Sequence, residues 1–75
     1  MTRLWIGVGT EAAIGPEEIK SCILGETGIP VESVGNIDMR ERHSFVEVAA
    51  DTATGVIAKL NRATLGGRRL KSKVA

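Results

Sequence analysis

The stretch His43-Ser44-Phe45-Val46-Glu47-Val48 constrains the fold more than any other part of this chain. Successive side chains of a β-strand point to opposite faces. The even-numbered residues of the stretch are therefore predicted to face one way and the odd-numbered residues the other. The even-numbered face is small and aliphatic, whereas the other carries two rings and a carboxylate.

The single Trp and the single Phe of the chain both fall on the polar side of their strands. In Leu4-Trp5-Ile6-Gly7-Val8 the same alternation separates Trp5 from the aliphatic residues. A half-buried strand normally turns its large ring into the core. Two interpretations stay open: the facing is inverted and Phe45 is a core residue, or the sheet exposes flat rings to a flat ligand.

Seventy-five residues predict a single domain, residues 1–75, with a core near the lower limit for folding without disulfides or metals. Cys22 is the only cysteine, which excludes an internal disulfide and a multi-cysteine zinc site and fits a reducing compartment. No apolar run approaches the roughly 20 residues of a membrane span, and the N-terminus lacks the apolar stretch of a signal peptide. We therefore expect a cytoplasmic protein with no membrane partner.

The net charge of +1 conceals an uneven distribution of charge along the chain. All nine acidic residues lie at or before Asp51. The charged residues after it are all basic: Lys59, Arg62, Arg68, Arg69, Lys71 and Lys73. A basic C-terminal third predicts a surface that binds a polyanion. Charge alone leaves open the alternative that these residues keep a small domain soluble.

Hydrophobic periodicity predicts two helices. The first begins at Pro16 after Gly15 and ends before Gly28, which suits the left-handed conformation at a helix C-terminus. Its apolar stripe includes Cys22 as a small hydrophobic residue. Asp51 is predicted to cap the second helix, whose apolar stripe is Ala53, Val56, Ile57 and Leu60.

Four strands are predicted around these helices. The first three are Thr2–Val8, Asn36–Arg40 and His43–Val48, with Glu41-Arg42 as the turn between the last two. In the fourth, Leu70, Ser72 and Val74 alternate with Arg69, Lys71 and Lys73. A short connection with one helical turn is expected at Val31–Val34, and a loop is expected from Asn61 to Gly67 with Gly66-Gly67 as its turn.

The order strand, helix, strand, strand, helix, strand predicts an α+β protein, the ferredoxin-like βαββαβ sandwich. A four-stranded antiparallel sheet then carries both helices on one face, with the first and third strands as central neighbours. Trp5 is expected beside His43 and Phe45 on the bare face. Cations flank these rings, Lys71 and Lys73 on one edge strand and Arg40 on the other. Rings surrounded by cations predict a stacking surface for single-stranded nucleic acid.

Catalytic and nucleotide-binding patterns are weak in this chain. Gly7-Val8-Gly9-Thr10-Glu11-Ala12 satisfies the loose dinucleotide pattern, but the predicted helix begins at Pro16 rather than on the glycines. His43 is the only histidine, and no Ser, Cys or carboxylate stands at a recognisable spacing from it. We therefore predict no catalytic residue, no metal ligand and no cofactor.

Several of these segments resemble the RNA recognition motif, and the resemblance extends over essentially the whole chain. They are Leu4-Trp5-Ile6, Arg42 to Val48, and Leu60-Asn61 followed by Gly67-Arg68-Arg69-Leu70. More narrowly, three segments resemble the C-terminal RNA-binding domain of bacterial DEAD-box RNA helicases of the DbpA and cold-shock type: Arg3 to Gly9, Val34-Gly35-Asn36-Ile37 and Ser44-Phe45-Val46-Glu47-Val48. The chain departs from the standard motif at His43, where a larger aromatic is usual, and at Gly7-Val8-Gly9, which replaces the usual Asn-Leu end of the first strand.

The resemblance implies a domain that tethers an ATP-driven helicase core to structured RNA, single-stranded or hairpin, and in some members ribosomal RNA. Cold-shock and ribosome-biogenesis roles follow from the same resemblance. The helicase phosphate loop and Asp-Glu-Ala-Asp box are absent, so we expect an excised part that cannot hydrolyse ATP alone. The residues predicted to bind RNA are Trp5, His43, Phe45, Arg40, Arg42, Arg69, Lys71 and Lys73. The alternative is a protein-interaction module in which the exposed rings anchor a peptide or a second copy.

Overall fold

A computed structural model describes residues 1–65 and 67–75 of the chain. The strands are β1 (Thr2–Ile6), β2 (Val34–Met39), β3 (Ser44–Val48), β4 (Thr64–Leu65), β5 (Arg68–Arg69) and β6 (Ser72–Val74). The helices are α1 (Pro16–Thr27) and α2 (Ala53–Leu60), with 3-10 turns at Thr10–Ala12, Val31–Ser33 and Ala50–Thr52. The main sheet is antiparallel in the order β2-β3-β1-β6. This confirms the ferredoxin-like fold, with the first and third strands at its centre.

The core lies between the main sheet and the two helices. Its strand residues include Leu4, Ile6, Val46 and Val48, which are at most 1% exposed. The helices contribute Ile19 and Ile23 from α1, and Ala53, Val56 and Leu60 from α2. Because Trp5 and Phe45 alternate with the buried strand residues, they lie on the sheet face away from the helices, where both are partly exposed. The interpretation that Phe45 is a core residue is therefore wrong.

The two helix starts differ in how well the sequence predicts them. At α1, Pro16 is the first helical residue, and the Gly15 amide donates to the Glu18 carboxylate at 3.3 Å. Asp51 does not cap α2, because it lies in the 3-10 turn that precedes the helix. Thr52 stands directly before α2, and its hydroxyl donates back to the carbonyl of Ala49 at 2.7 Å.

The segment between α2 and the last strand differs from the predicted loop. Thr64 and Leu65 of β4 pair with Arg69 and Arg68 of β5 to form a second, two-stranded sheet. The predicted turn at Gly66-Gly67 falls partly outside the described residues, since Gly66 is not described; Gly67 has a left-handed φ of 78°. The last strand therefore begins only at Ser72.

The outer strand β6 is held in place by Asn61, the residue that follows α2. The Ser72 amide donates to the Asn61 side-chain oxygen at 2.9 Å, and the Asn61 side-chain amide donates to the Ser72 carbonyl at 3.4 Å. Leu70 is buried just before the strand, but Val74 near its end is 59% exposed. Val74 thus lies outside the core that the alternating pattern predicted for it, because it belongs to the end of an edge strand.

A close backbone approach fixes the β2–β3 turn against the loop after β1. The amides of Thr10 and Glu11 each donate at 2.8 Å, to the carbonyls of Arg40 and Glu41 respectively. A Cβ atom on Gly9 would collide with the Arg40 carbonyl oxygen, so the backbone leaves no room for a side chain at this position. The glycine pattern here serves chain packing, and two amides of the loop are already bonded to the turn.

We predict that Gly9→Ala lowers the free energy of unfolding by about 1–3 kcal/mol, because the added methyl group must push two backbone segments apart. Urea denaturation followed by circular dichroism measures the loss. Gly25→Ala is the matched control: a Cβ at Gly25 meets nothing within 4 Å, and this glycine lies inside α1. The control should be stabilised by up to about 1 kcal/mol. Equal stability of the two variants would contradict the proposed packing constraint.

Candidate nucleic-acid interface

Three rings form a contiguous cluster across the two central strands, on the sheet face away from the helices. Trp5 on β1 stands directly opposite Phe45 on β3 in the strand register. The rings of Trp5 and His43 are stacked with centroids 6.3 Å apart and an angle of 27° between their planes. The rings of His43 and Phe45 meet edge to face at 5.3 Å. We call Trp5, His43 and Phe45 the aromatic cluster and the sheet face that carries it the open face.

The Trp5 indole lies against the strand because residue 7 has no side chain. A Cβ atom on Gly7 would lie 3.1 Å from Cη2 and 3.3 Å from Cζ3 of the indole. Gly7 directly follows β1, and its lack of a side chain leaves room for the ring two residues before it. The departure from the standard first-strand ending therefore has a direct effect on the cluster.

The predicted lysines lie at the β6 side of the cluster. Lys73 pairs with Trp5 in the strand register, and its Nζ lies 5.1 Å from the indole centroid. The backbone carbonyl of Lys71 accepts a hydrogen bond from the Gly7 amide at 2.8 Å. The Lys71 Cβ and the Trp5 indole both lie next to Gly7, so this exposed residue is close to the ring. Lys73 lies on the edge strand as the sequence predicts, whereas Lys71 directly precedes that strand.

Arg3 is a member of this surface that the sequence analysis missed. Its guanidinium carbon lies 4.2 Å from the centroid of the Phe45 ring, a cation–π geometry. Its Nη2 donates to the Asp38 carboxylate at 3.4 Å, which holds the guanidinium over the ring. Residues 3 and 5 share a face of β1, so the alternating pattern contained a signal for Arg3, but not for its distant partner on β2.

The other predicted arginines are held by polar groups of the chain. Arg40 donates to the Asp38 carboxylate from Nε at 3.1 Å and from Nη2 at 2.9 Å. Arg42 lies in the β2–β3 turn, with its Nε 3.6 Å from the Glu11 carboxylate. Arg69 belongs to the second sheet rather than to the last strand. Its Nε donates to the Asn61 carbonyl at 3.3 Å. The structure thus brings together the three rings, Lys71 and Lys73, whereas Arg40, Arg42 and Arg69 contact other polar groups.

A family model described as "DbpA RNA binding domain" matches residues 3–74. The chain belongs to this family. It is an RNA-binding module of the DbpA type, and its fold is that of the RNA recognition motif.

Two further comparisons give the domain its context. A solved structure of the Nab3 RRM, reported as recognising cis elements of non-polyadenylated RNAs, has a TM-score of 0.79 at 15% identity. It covers 99% of this chain and 93% of that chain, which shows the shared fold. An uncharacterized protein of Treponema pallidum (strain Nichols) is 30% identical over 69 residues. The match covers 92% of this chain, and the chain spans about 30% of the length of that curated relative.

In the described part of the DbpA-type domain, thiol chemistry and metal binding are both disfavoured. Burial, and secondarily the nearby Glu26 carboxylate, raise the pKa of the Cys22 thiol, which disfavours the reactive thiolate. Residues 1–65 and 67–75 contain no group of three or more His, Cys, Asp or Glu side chains suited to a metal ion. In this same part of the DbpA-type domain, neither helix is both long and apolar enough to cross a bilayer.

We predict that Gly7→Val shifts the Trp5 fluorescence emission to longer wavelength, because the added side chain lifts the indole from the strand into water. The fold of the DbpA-type domain should survive, since the displaced group is a side chain rather than backbone. Thr64→Val, at an exposed position of β4, is the control and should leave the emission unchanged. An unshifted emission in Gly7→Val would contradict the packing of the indole on residue 7.

Proposed function

We propose that this DbpA-type domain binds single-stranded or looped RNA on its open face. The aromatic cluster carries the proposal, because three neighbouring rings on the sheet face away from the helices suit the flat faces of unpaired bases. Membership of an RNA-binding family supports it independently.

Base stacking on the rings and lysine–phosphate contacts would make different contributions to binding. Each base stacked on a ring contributes about 1–3 kcal/mol to binding. An exposed lysine close to a phosphate contributes less, and salt screens it. The aromatic cluster would therefore set the affinity, and the lysines would set the rate of association and its salt dependence.

The distribution of charge favours one path for the RNA backbone. Lys71 and Lys73 lie at the β6 side of the cluster, whereas the β2 and β3 side carries the carboxylates of Asp38 and Glu47. Arg40 is already paired with Asp38. We infer that the phosphates run along the β6 edge and that the bases extend from there towards β3.

The parent protein is the next level of the proposal. We propose that the domain is the C-terminal part of an ATP-dependent DEAD-box RNA helicase of the cytoplasm and tethers the helicase core to structured RNA, with ribosomal RNA as one class of target. The family membership supports this parentage. Sequencing the gene around this segment tests it: a phosphate loop and an Asp-Glu-Ala-Asp box upstream are expected, and an upstream region without them would contradict the helicase assignment.

We predict that Trp5→Ala weakens binding of a fluorescently labelled single-stranded RNA by about 5- to 150-fold, the loss of one stacked base. Fluorescence anisotropy measures the affinity, and circular dichroism should show an unchanged fold. Val31→Ala removes an apolar side chain that is 50% exposed in the connection before β2, and it should bind like the original domain. Unchanged RNA affinity in Trp5→Ala, with the fold intact, would favour a protein-binding role for the rings.

We predict that the double variant Lys71→Ala, Lys73→Ala reduces the slope of log affinity against log salt by about 1.4, because two phosphate contacts to single-stranded RNA are lost. Quenching of Trp5 fluorescence between about 50 and 200 mM salt measures the slope. Lys20→Ala, Lys59→Ala is the charge-matched control, since these residues lie on the two helices. A slope that falls equally in both double variants would remove β6 from the RNA path.

A further inference from the structure

The end of the open face next to Phe45 is a small polar depression. It has a volume of about 220 Å³ and is lined by Arg3, Asn36, Asp38, Phe45 and Glu47. Arg3 and Glu47 stand directly opposite each other in the register of β1 and β3, with Phe45 two residues from Glu47 on the same face. A guanidinium, a carboxylate and a ring therefore converge on a space that suits one base.

The hydrogen-bonding groups of this depression are only partly used. The Arg3 guanidinium leans towards Asp38 and donates to it through Nη2, which leaves several of its N–H donors for a ligand. Within the described ranges 1–65 and 67–75, the Glu47 carboxylate takes part in no salt bridge and accepts no hydrogen bond. Together the two side chains offer two acceptor oxygens beside a donor.

Among the four RNA bases, guanine matches this arrangement best. Its pairing edge presents two adjacent donors, N1–H and the 2-amino group, followed by the O6 acceptor. A carboxylate accepts two parallel hydrogen bonds only from adjacent donors. Cytosine and adenine offer one amino group beside a ring acceptor, and uracil offers one N–H between two carbonyl oxygens, so each would leave a carboxylate oxygen facing an acceptor.

We propose that the depression is a guanine-specific subsite for a base of single-stranded RNA. Glu47 accepts from N1–H and the 2-amino group, Arg3 donates to O6, and Asp38 positions Arg3 by holding its guanidinium over Phe45. This assignment rests on the proposed RNA binding by the open face and adds base recognition to it. Stacking alone tolerates any base, so the hydrogen bonds would supply the specificity.

Quenching of Trp5 fluorescence by uridine oligonucleotides that differ only in one central base tests the proposal. The oligonucleotide with central guanosine should bind at least about fivefold more tightly than those with uridine, cytidine or adenosine, the lower end of what a bidentate pair supplies. Replacing guanosine with inosine, which lacks the 2-amino group, should remove most of the preference. In Glu47→Gln the preference for guanosine should disappear, because a carboxamide has a single acceptor oxygen.

Glu26→Gln is the matched control, since Glu26 is an exposed carboxylate of α1, and it should keep the preference of the original domain. Equal binding of all four oligonucleotides would overturn the guanine subsite while RNA binding by the open face stands. A preference that persists in Glu47→Gln would overturn it as well. If none of the oligonucleotides quenched Trp5, both the subsite and the proposed RNA binding would be wrong.

Discussion

The antiparallel pairing of β1 with β3 determines both the core and the open face of this domain. In the same register Leu4 stands opposite Val46 and Trp5 opposite Phe45. Shifting the register by one residue would place rings in the core and aliphatic groups in water. Beyond the end of β1, the buried Ser44 hydroxyl donates to the Val8 carbonyl at 2.9 Å and holds the two segments in this alignment.

The sequence predicts the features that depend on local periodicity. The facing of Trp5 and Phe45 follows from a two-residue repeat, and the start of α1 follows from Gly15-Pro16. Features that depend on contacts between distant segments escaped prediction. The role of Gly9 is visible only when the β2–β3 turn lies against it, and the placement of Arg3 over Phe45 depends on Asp38 of another strand. Asp51 was a suitable cap by type, but a 3-10 turn takes the place of the expected helix start.

Charge along the chain and charge on the surface are distributed differently. The basic residues of the C-terminal third are spread over separate elements: Lys59 on α2, Arg69 in the second sheet, and Lys73 on β6. Meanwhile the acidic side chains of Asp38 and Glu47, from the first two thirds, lie on the open face with Arg3. The basic run of the sequence is thus divided among separate elements, and one end of the open face combines acidic side chains with Arg3.

The central strands β1 and β3 are also separated by more than thirty residues of sequence, which delays their pairing during synthesis. Of the strands of this domain, β1 is synthesised first. Its partner β3 is complete only when the polypeptide has been made as far as Val48. Pairing between segments so far apart in the chain is slow relative to helix formation. The nascent β1 therefore spends this interval as an unpaired edge with an exposed indole, a state that favours aggregation.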